Sequence, residues 1–225
     1  MAKAAYHHGN LRRELLDAAL AVIAERGPSA LSLRELAGRA GVSHAAPAHH
    51  FGDKAGLLTA VAAEGYELLA AELEAATRAG GDFLAAGLAY VRFATDHPAH
   101  FQVMFQPTLY RADDPAVRAA EARAAAVLYG TAGALAAGAT GEGSGAAAGD
   151  PGDPGGLDDA RRVGVAGWCL VHGLATLWLA GNLSDLGDDP VELARSVASI
   201  AFGGGAAGGA RDDVRNGGGA GAPAR

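Results

Sequence analysis

Side chains that can bind an anionic partner are concentrated in the first quarter of this 225-residue chain. Residues 1–60 carry seven lysines and arginines against five acidic residues, and the remaining residues carry eleven against twenty, so the two parts contribute +2 and −9 to the net charge of −7. Five of the eight histidines also lie here, at positions 7, 8, 44, 49 and 50. Lysine and arginine neutralise phosphate, and histidine does so when it is protonated. Although the whole chain is acidic, its N-terminal region carries a net positive charge and is suited to bind a polyanion.

The helices that must position these side chains are marked by capping residues. Ser32, with Glu35 three residues later, forms a capping-box pattern and predicts the start of a helix. Gly41 suits the left-handed conformation that ends a helix, and Ser43 can cap a further short helix at once. Two capped helices joined by a tight glycine turn predict a helix-turn-helix.

Helical periodicity continues through the rest of the chain, and no stretch alternates as a strand does. The predicted helices cover about residues 10–26, 32–40, 43–51, 53–77, 82–95, 97–105, 115–137, 157–182 and 190–202. Asn10, Asp53 and His97 are the predicted caps of the first, fourth and sixth of these helices. The fold class is therefore predicted to be all-α, with about nine helices.

Composition predicts how the chain divides into domains. Residues 1–54 form the predicted helix-turn-helix domain, and the fourth helix, about 53–77 and roughly 35 to 40 Å long, links it to a helical bundle over 55–203. Within that bundle the Gly/Ala-rich residues 138–156 predict a mobile loop, and residues 204–225 predict a disordered tail.

Three runs in the helix-turn-helix carry a family resemblance: LSLRELA at 31–37, AGVS at 40–43 and HHFGDK at 49–54. Together they resemble the DNA-binding domain of the TetR family of transcriptional regulators. The lead-in YHHGNLR at 6–12, and Trp168 followed by VHGLA at 171–175, are similar to a subgroup of that family.

The resemblance implies a sequence-specific DNA-binding regulator whose third helix enters the major groove. The residues implied to face base edges or adjacent phosphates are Ser43, His44, Ala45 and Ala46. Those implied to hold the phosphate backbone are Ser32, Arg34, His49 and Lys54, with Lys3 reaching the DNA from the N-terminal arm. The chain departs from the family at Ala48, where a tyrosine usually binds a phosphate. This departure leaves open a regulator-like sensor or interaction module with weakened DNA binding.

Large aromatic side chains beyond this region predict either an effector pocket or ordinary core packing. The candidate pocket residues are Phe83, Tyr90, Phe93, Phe101, Met104, Phe105, Trp168 and His172. His172 is either a polar anchor in the pocket or a hydrogen-bonded core histidine. By resemblance, an unknown small-molecule effector would bind here and release the protein from DNA, as expected of a repressor.

The eighth and ninth helices resemble the pair that forms a four-helix homodimer interface in the family. The candidate interface residues are Gly164, Gly167, Leu174, Trp178, Gly181, Val197 and Ile200. A two-fold dimer would present its recognition helices roughly 34 to 36 Å apart, which predicts a palindromic operator.

Several classes of function lack support in the sequence. No nucleophile with a base, phosphate-cradling glycine loop or paired carboxylates is present, so neither an enzyme nor a cofactor is predicted. A metal site is not predicted either, although His97 with His100, or the histidine pairs at 7–8 and 49–50, leave one open. The lone Cys169 and the lack of a signal-peptide pattern favour a reduced, cytoplasmic protein. The uncharged run Val163–Gly181 is nearly long enough to span a bilayer, but a buried helix explains it, and no membrane partner is predicted.

Overall fold

The computed structural model describes residues 8–78, 80–139 and 159–202, and these form nine α-helices and no strand. This confirms the all-α prediction. The helices are α1 (His8–Arg26), α2 (Leu33–Arg39), α3 (Ala46–Phe51), α4 (Lys54–Arg78), α5 (Phe83–Asp96), α6 (Pro98–Met104), α7 (Pro115–Ala139), α8 (Asp159–Leu179) and α9 (Pro190–Phe202). Of the predicted mobile loop, residues 138–139 end α7 and the others lie outside the described residues, as do Lys3 and the predicted tail.

Helices α1 to α3 enclose a small apolar core. One face of α1 is buried, and its members are Leu11, Leu15, Leu16, Ala19, Val22 and Ile23. Leu36 from α2 and Phe51 from α3 belong to the same core. The turn after α2 is closed by the Val42 amide, which donates to the Ala37 carbonyl at 3.0 Å, and Gly41 has the positive φ of 65° that this turn requires.

The predicted Ser32 and Asp53 caps are observed. The Ser32 Oγ accepts from the Glu35 amide at 3.3 Å, and Asp53 Oδ1 accepts from the Gly56 amide at 2.8 Å. The Glu35 carboxylate binds the Arg26 guanidinium. Only the Ser32 half of the predicted capping box is therefore observed among the contacts of the described residues.

Two predicted helix starts are wrong, and a third start is correct but lacks the predicted side-chain cap. Helix α1 begins at His8, before the predicted cap Asn10. Ser43 makes no side-chain cap, because its carbonyl instead closes a turn with the Ala46 amide at 3.0 Å, and the helix begins only after that turn. His97 occupies the cap position of α6 without a side-chain hydrogen bond, because its ring packs on Phe93 with the centroids 5.4 Å apart.

Helix α4 connects the two ends of the molecule. Leu57, Leu58 and Val61 near its start are fully buried, and Tyr66 and Leu73 are buried further along. The helix packs on α1 and α3 at its beginning and on α5, α6 and α7 over its length. All of these residues belong to one continuous apolar core, so α4 is rigidly held at both ends.

Helices α5 to α9 form the rest of the bundle. Helix α8 packs between α5 and α7, and α9 lies against α5 and α8. By length and composition, α8 is the one helix of the described residues that could cross a membrane. Its buried residues are Gly164, Gly167, Val171, Leu174 and Ala175. Only 28% of its most apolar stretch is buried within the chain, so packing accounts for only part of the apolar composition of α8, and the sequence-based explanation of a buried helix holds only in part.

Candidate DNA-binding surface and effector cavity

The predicted DNA-contacting residues of the helix-turn-helix are mostly open to solvent. Arg34 projects from the start of α2, Ser43 and His44 lie in the turn before α3, and His49 lies on α3, and all four side chains are exposed. Ala45 is also exposed and Ala46 is half-buried. These positions can therefore be reached by DNA without any rearrangement of the core.

Two of the predicted phosphate-binding residues also hold the local structure. The Ser32 Oγ accepts the capping hydrogen bond, which leaves its hydroxyl hydrogen to donate to a phosphate. The Lys54 Nζ donates to the Ser29 carbonyl at 2.9 Å and retains two further hydrogens. Arg34, by contrast, makes no ion pair among the described residues. Its charge is therefore fully available to an anion.

The outer surface of helix α3 carries a small residue at one predicted contact position. Ala48 is exposed where the family resemblance implies a tyrosine, whereas Pro47 is buried. From α1, the Arg12 guanidinium lies 5.2 Å from the centre of the Phe51 ring and supports the end of α3. The exposed His49 is therefore the larger outward side chain beside Ala48 on this helix.

A cavity of about 1140 Å³ lies among α4, α5, α7 and α8. Five of the eight predicted pocket residues line it, namely Phe83, Tyr90, Met104, Phe105 and Trp168. Phe93, Phe101 and His172 do not. Phe93 is only 1% exposed, Phe101 packs edge-on against Tyr90, and His172 stands behind Tyr90 with its Nδ1 2.8 Å from the tyrosine oxygen.

Sequence analysis missed several lining residues. Tyr66 and Leu69 reach the cavity from α4, and Glu121, Leu128 and Tyr129 reach it from α7. The α7 sequence is rich in alanine and has only a weak apolar periodicity, so it gave no signal of a cavity wall. Tyr66 could have been found, because it follows the helical spacing of the leucines that are buried with it on α4, Leu69 and Leu73.

The hydroxyls of Tyr66, Tyr90 and Tyr110 in the cavity wall are neutral and are hydrogen-bonded within the protein. The Tyr66 and Tyr110 hydroxyls both donate to the Met104 carbonyl, at 3.2 and 2.7 Å. Trp168 Nε1 donates to the Tyr90 oxygen at 3.4 Å. Burial raises the pKa of all three tyrosines, and burial lowers the pKa of His172, so none of these groups carries a charge near neutral pH.

A series of side-chain contacts through Glu64 of α4 connects α1 to α6. Arg13 Nη1 lies 2.6 Å from Glu64 Oε2, and Glu64 Oε1 lies 3.2 Å from His100 Nε2. The His100 ring is 5.8 Å from that of His97. Burial lowers the pKa of His100, although the neighbouring Glu64 carboxylate opposes that effect. This link joins the helix-turn-helix to the helix that carries Met104 to the cavity.

A second link joins the start of α4 to the segment before α7. The Arg111 guanidinium contacts both oxygens of Asp53, at 2.9 and 3.0 Å, and the Arg111 amide donates to Thr59 Oγ1 at 3.0 Å. The Arg111 and Asp53 side chains are about half exposed, so water weakens their ion pair more than it weakens the hydrogen bond from the Arg111 amide to Thr59.

The predicted dimer residues divide into two groups. Gly164 and Gly167 are buried within the protomer, where an added Cβ would collide with the rings of Tyr129 and Phe83, and Leu174 is also buried. Packing within one protomer therefore accounts for the burial of these three residues without a second copy. Trp178 and Val197 are half-buried, Gly181 is exposed, and Ile200 is 80% exposed, so these four remain available to a second copy.

A metal site finds no support in the described residues, where no group of three potential ligands comes together. His100 bonds to Glu64, and His97 is its only other histidine neighbour there. The side chains of residues 7 and 8 lie outside the described part, so the alternative that pairs them with His49 and His50 stays open.

Two family models match the chain. One, described as bacterial regulatory proteins of the tetR family, matches residues 15–61, and the other, a tetracyclin repressor-like C-terminal domain, matches residues 83–200. None of the curated proteins matches this chain. The matches cover both the helix-turn-helix and the helices that enclose the cavity.

Solved structures show the same fold. A protein of unknown function from Rhodococcus sp. RHA1 is 32% identical, with a TM-score of 0.68 and coverage of 90% of this chain and 98% of its own. A TetR-family regulatory protein from Rhodococcus RHA1 is 20% identical, with a TM-score of 0.63 over 88% and 96% of the two chains. The ketosteroid transcriptional regulator KstR2 of Mycobacterium tuberculosis is 21% identical, with a TM-score of 0.61 over 90% and 98%.

These family domains indicate a regulator rather than an enzyme. The N-terminal model falls on the exposed polar surface of α2 and α3, and the C-terminal model spans most of the cavity wall. The chain belongs to the TetR family of DNA-binding transcriptional regulators.

Proposed function

We propose that this protein is a cytoplasmic homodimeric repressor that binds a palindromic operator and is released from it by a small-molecule effector. Residues 1–54 would bind DNA, and residues 55–203 would bind the effector and form the dimer. The effector would occupy the cavity among α4, α5, α7 and α8.

The geometry of α4 carries this proposal. Lys54 at its start borders the helix-turn-helix, whereas Tyr66, Leu69 and Leu73 line the cavity further along. A helix tightly packed at both ends transmits a displacement at one end to the other. An effector that binds more tightly to one tilt of α4 than to another would therefore shift the DNA-binding state by that difference in affinity.

The dimer is supported by an apolar surface on the last two helices. Leu177, Leu179, Ile200 and Phe202 are large apolar residues that are 37 to 80% exposed. Exposed apolar patches of this kind mark interaction sites. With Trp178, Gly181 and Val197 nearby in sequence, they form the interface that we propose between two copies.

The proposal is tested by selecting bound duplexes from a randomised DNA pool with the purified protein at about 0.15 M salt, where non-specific attraction is partly screened. We expect an enriched inverted repeat with half-sites separated by about 10 base pairs, or a multiple of that distance, between their centres. Failure of a folded, dimeric protein to enrich any sequence would contradict the proposal.

The exposed Ala48 favours a second candidate function. Without the tyrosine usual at this position, the protein would act as a sensor or interaction module with weakened DNA binding. If this second candidate is correct, the same selection should show only non-specific binding. Replacement of Ala48 by tyrosine should then give a gain of sequence preference.

A further inference from the structure

We infer that the cavity takes a large, mostly apolar ligand that is cationic or rich in hydrogen-bond donors and carries no anionic group. The inference rests on the proposed function only in taking the cavity as the effector site. It concerns the chemical class of the ligand and is argued from the charges and hydrogen bonds of the cavity wall.

The size and lining of the cavity set the first requirement. Its volume of about 1140 Å³ exceeds the range of roughly 300 to 1,000 Å³ that is usual for small-molecule pockets. Phe83, Tyr90, Phe105 and Trp168 supply aromatic surface, and aliphatic side chains supply most of the rest. A ligand that fills this space must therefore bury extensive apolar surface, as a fused-ring or long-chain molecule does.

The charged groups of the wall are of one sign. Among the described residues, the lining includes the carboxylates Asp82 and Glu121 and no lysine, arginine or histidine. Asp82 is occupied as the cap of α5, where its Oδ1 accepts from the Ala85 amide at 3.0 Å. An anionic ligand would lose its hydration in this cavity and meet no basic side chain in return.

Glu121 is the charge that remains available. It lies on the exposed edge of the cavity and forms no ion pair among the described residues. Its carboxylate is near enough to Tyr66 and Tyr110 to reinforce the effect of burial in raising the pKa of both hydroxyls. All three residues line the cavity, so a cationic group bound near the two tyrosines would be attracted by the Glu121 carboxylate.

The hydroxyl hydrogens of the wall are mostly committed to the protein. Tyr66 and Tyr110 donate to the Met104 carbonyl, Thr131 donates within α7, and Ser199 donates within α9. The Tyr90 oxygen accepts from Trp168 Nε1 and also forms a 2.8 Å hydrogen bond with Nδ1 of the neutral His172, so the Tyr90 hydroxyl is already partnered within the protein. Tyr129, which is 36% exposed, is the one tyrosine of the wall with no hydrogen-bond partner in the described structure.

The wall therefore offers oxygen acceptors, aromatic faces and one free carboxylate, but few donors. Aromatic faces attract cations, and carboxylates accept charge-assisted hydrogen bonds. A hydrophobic amine or quaternary cation satisfies these groups, whereas a fatty-acid or phosphate-bearing molecule leaves its charge unpaired.

Two ions of the same shape and opposite charge test the ligand class. Tetraphenylphosphonium and tetraphenylborate would each be titrated calorimetrically into the full-length protein without DNA. We expect the phosphonium ion to bind about tenfold more tightly, through cation–π contacts and the Glu121 charge. Quenching of Trp168 fluorescence in a Trp178→Phe variant, which leaves one tryptophan, would place the bound ion in the cavity.

A matched pair of variants tests the role of Glu121. Glu121→Gln should weaken phosphonium binding about three- to fivefold and leave tetraphenylborate binding equal or tighter. Glu72→Gln removes an exposed carboxylate of α4 that does not line the cavity, and it should change neither affinity. Equal or tighter binding of tetraphenylborate by the unaltered protein would overturn the inference, and so would an unchanged phosphonium affinity in Glu121→Gln.

These outcomes are separate from a failure of the proposed function. Phosphonium binding in the cavity without any loss of operator occupancy would contradict effector release but support the ligand class. Release from the operator by an anionic compound bound in the cavity would support effector release and overturn the ligand class.

Discussion

Arg34 and Lys54, two cationic residues of the predicted DNA-binding surface, differ in how free their side chains are to bind DNA. Arg34 is exposed without an ion pair in the described structure, whereas Lys54 is half-buried and already donates to the Ser29 carbonyl. Replacing Lys54 would remove its bond to the Ser29 carbonyl together with any phosphate contact, so the two losses would not be separated. Arg34 is therefore the better test of phosphate binding.

Replacing Arg34 by alanine should weaken operator binding about tenfold and reduce the slope of log affinity against log salt by about one, because one phosphate contact is lost. Fluorescence anisotropy across a salt series measures both quantities. Arg78→Ala is the matched control, because Arg78 is an exposed arginine at the opposite end of α4. An unchanged salt slope in Arg34→Ala would exclude this contact.

Ala48→Tyr should tighten binding to the selected operator by about tenfold or more, since it adds a hydroxyl able to donate to a charged phosphate. The position is exposed, so the larger side chain enters no core. Ala48→Phe has nearly the same bulk without the hydroxyl and should not reproduce the gain. Equal effects of the two variants would mean that the hydroxyl forms no phosphate contact.

At the scale of the helices, the link from α1 through α4 to α6 contains His100, the most deeply buried side chain in any ion pair of the described residues. His100 is 5% exposed and faces Glu64, with Arg13 beyond that carboxylate and His97 on its own helix. A histidine whose pKa is lowered in the folded protein binds fewer protons there than in the unfolded chain. Its contribution to stability is therefore complete above the unfolded pKa and is lost at lower pH.

The free energy of unfolding should accordingly fall as pH decreases through the ordinary histidine value of 6.5 toward the lowered folded value of His100. Denaturant titrations at a series of pH values between about 7.5 and 5.5 measure this dependence. His100→Gln should flatten it in part, and the remaining slope is expected from His172, whose pKa is also lowered by burial. A variant with an undiminished slope would rule out His100 as the source.

Helix starts show where local chemistry suffices to predict an element. The predicted cap Asp53 accepts a backbone hydrogen bond at the start of α4 while it also binds Arg111, and Asp114 and Asp189 likewise accept backbone hydrogen bonds at the starts of α7 and α9. Ser43 and His97 make no side-chain cap. A carboxylate has two acceptor oxygens and can cap a helix and bind a second partner, so aspartate is the more predictable cap.

At the scale of the whole molecule, the apolar surface of α8 and α9 predicts a change of oligomeric state. Ile200→Asp should raise the dimer dissociation constant by at least about 100-fold, since it places a charge in a buried apolar contact. Sedimentation velocity measures the change, and circular dichroism verifies that the helices remain. Ala71→Asp, on an exposed face of α4 outside the proposed interface, should stay dimeric. If the Ile200→Asp variant remained dimeric, the dimer interface would have to lie elsewhere on the molecule.

The sequence by itself determined the helical fold class and the helix-turn-helix, because periodicity and capping act over a few residues. Through the resemblance of its motifs to the TetR family, the sequence also implied the family and the DNA-contacting residues, most of which are exposed in the structure. It also identified five of the cavity residues, because large aromatic side chains in helical bundles lie at or near cavities more often than charged ones do.

Only the tertiary structure decided which aromatic residues line the cavity and which stand behind them. It also placed Glu121 of α7 and Tyr66 of α4 on the wall of one cavity, joined Arg13 to His100 through Glu64, and assigned Gly167 to a close approach to Phe83 within one chain. Each of these contacts joins residues that are more than 30 positions apart in the chain. The relative rotation and offset of packed helices determine such contacts, and side-chain interdigitation across the whole core sets that arrangement.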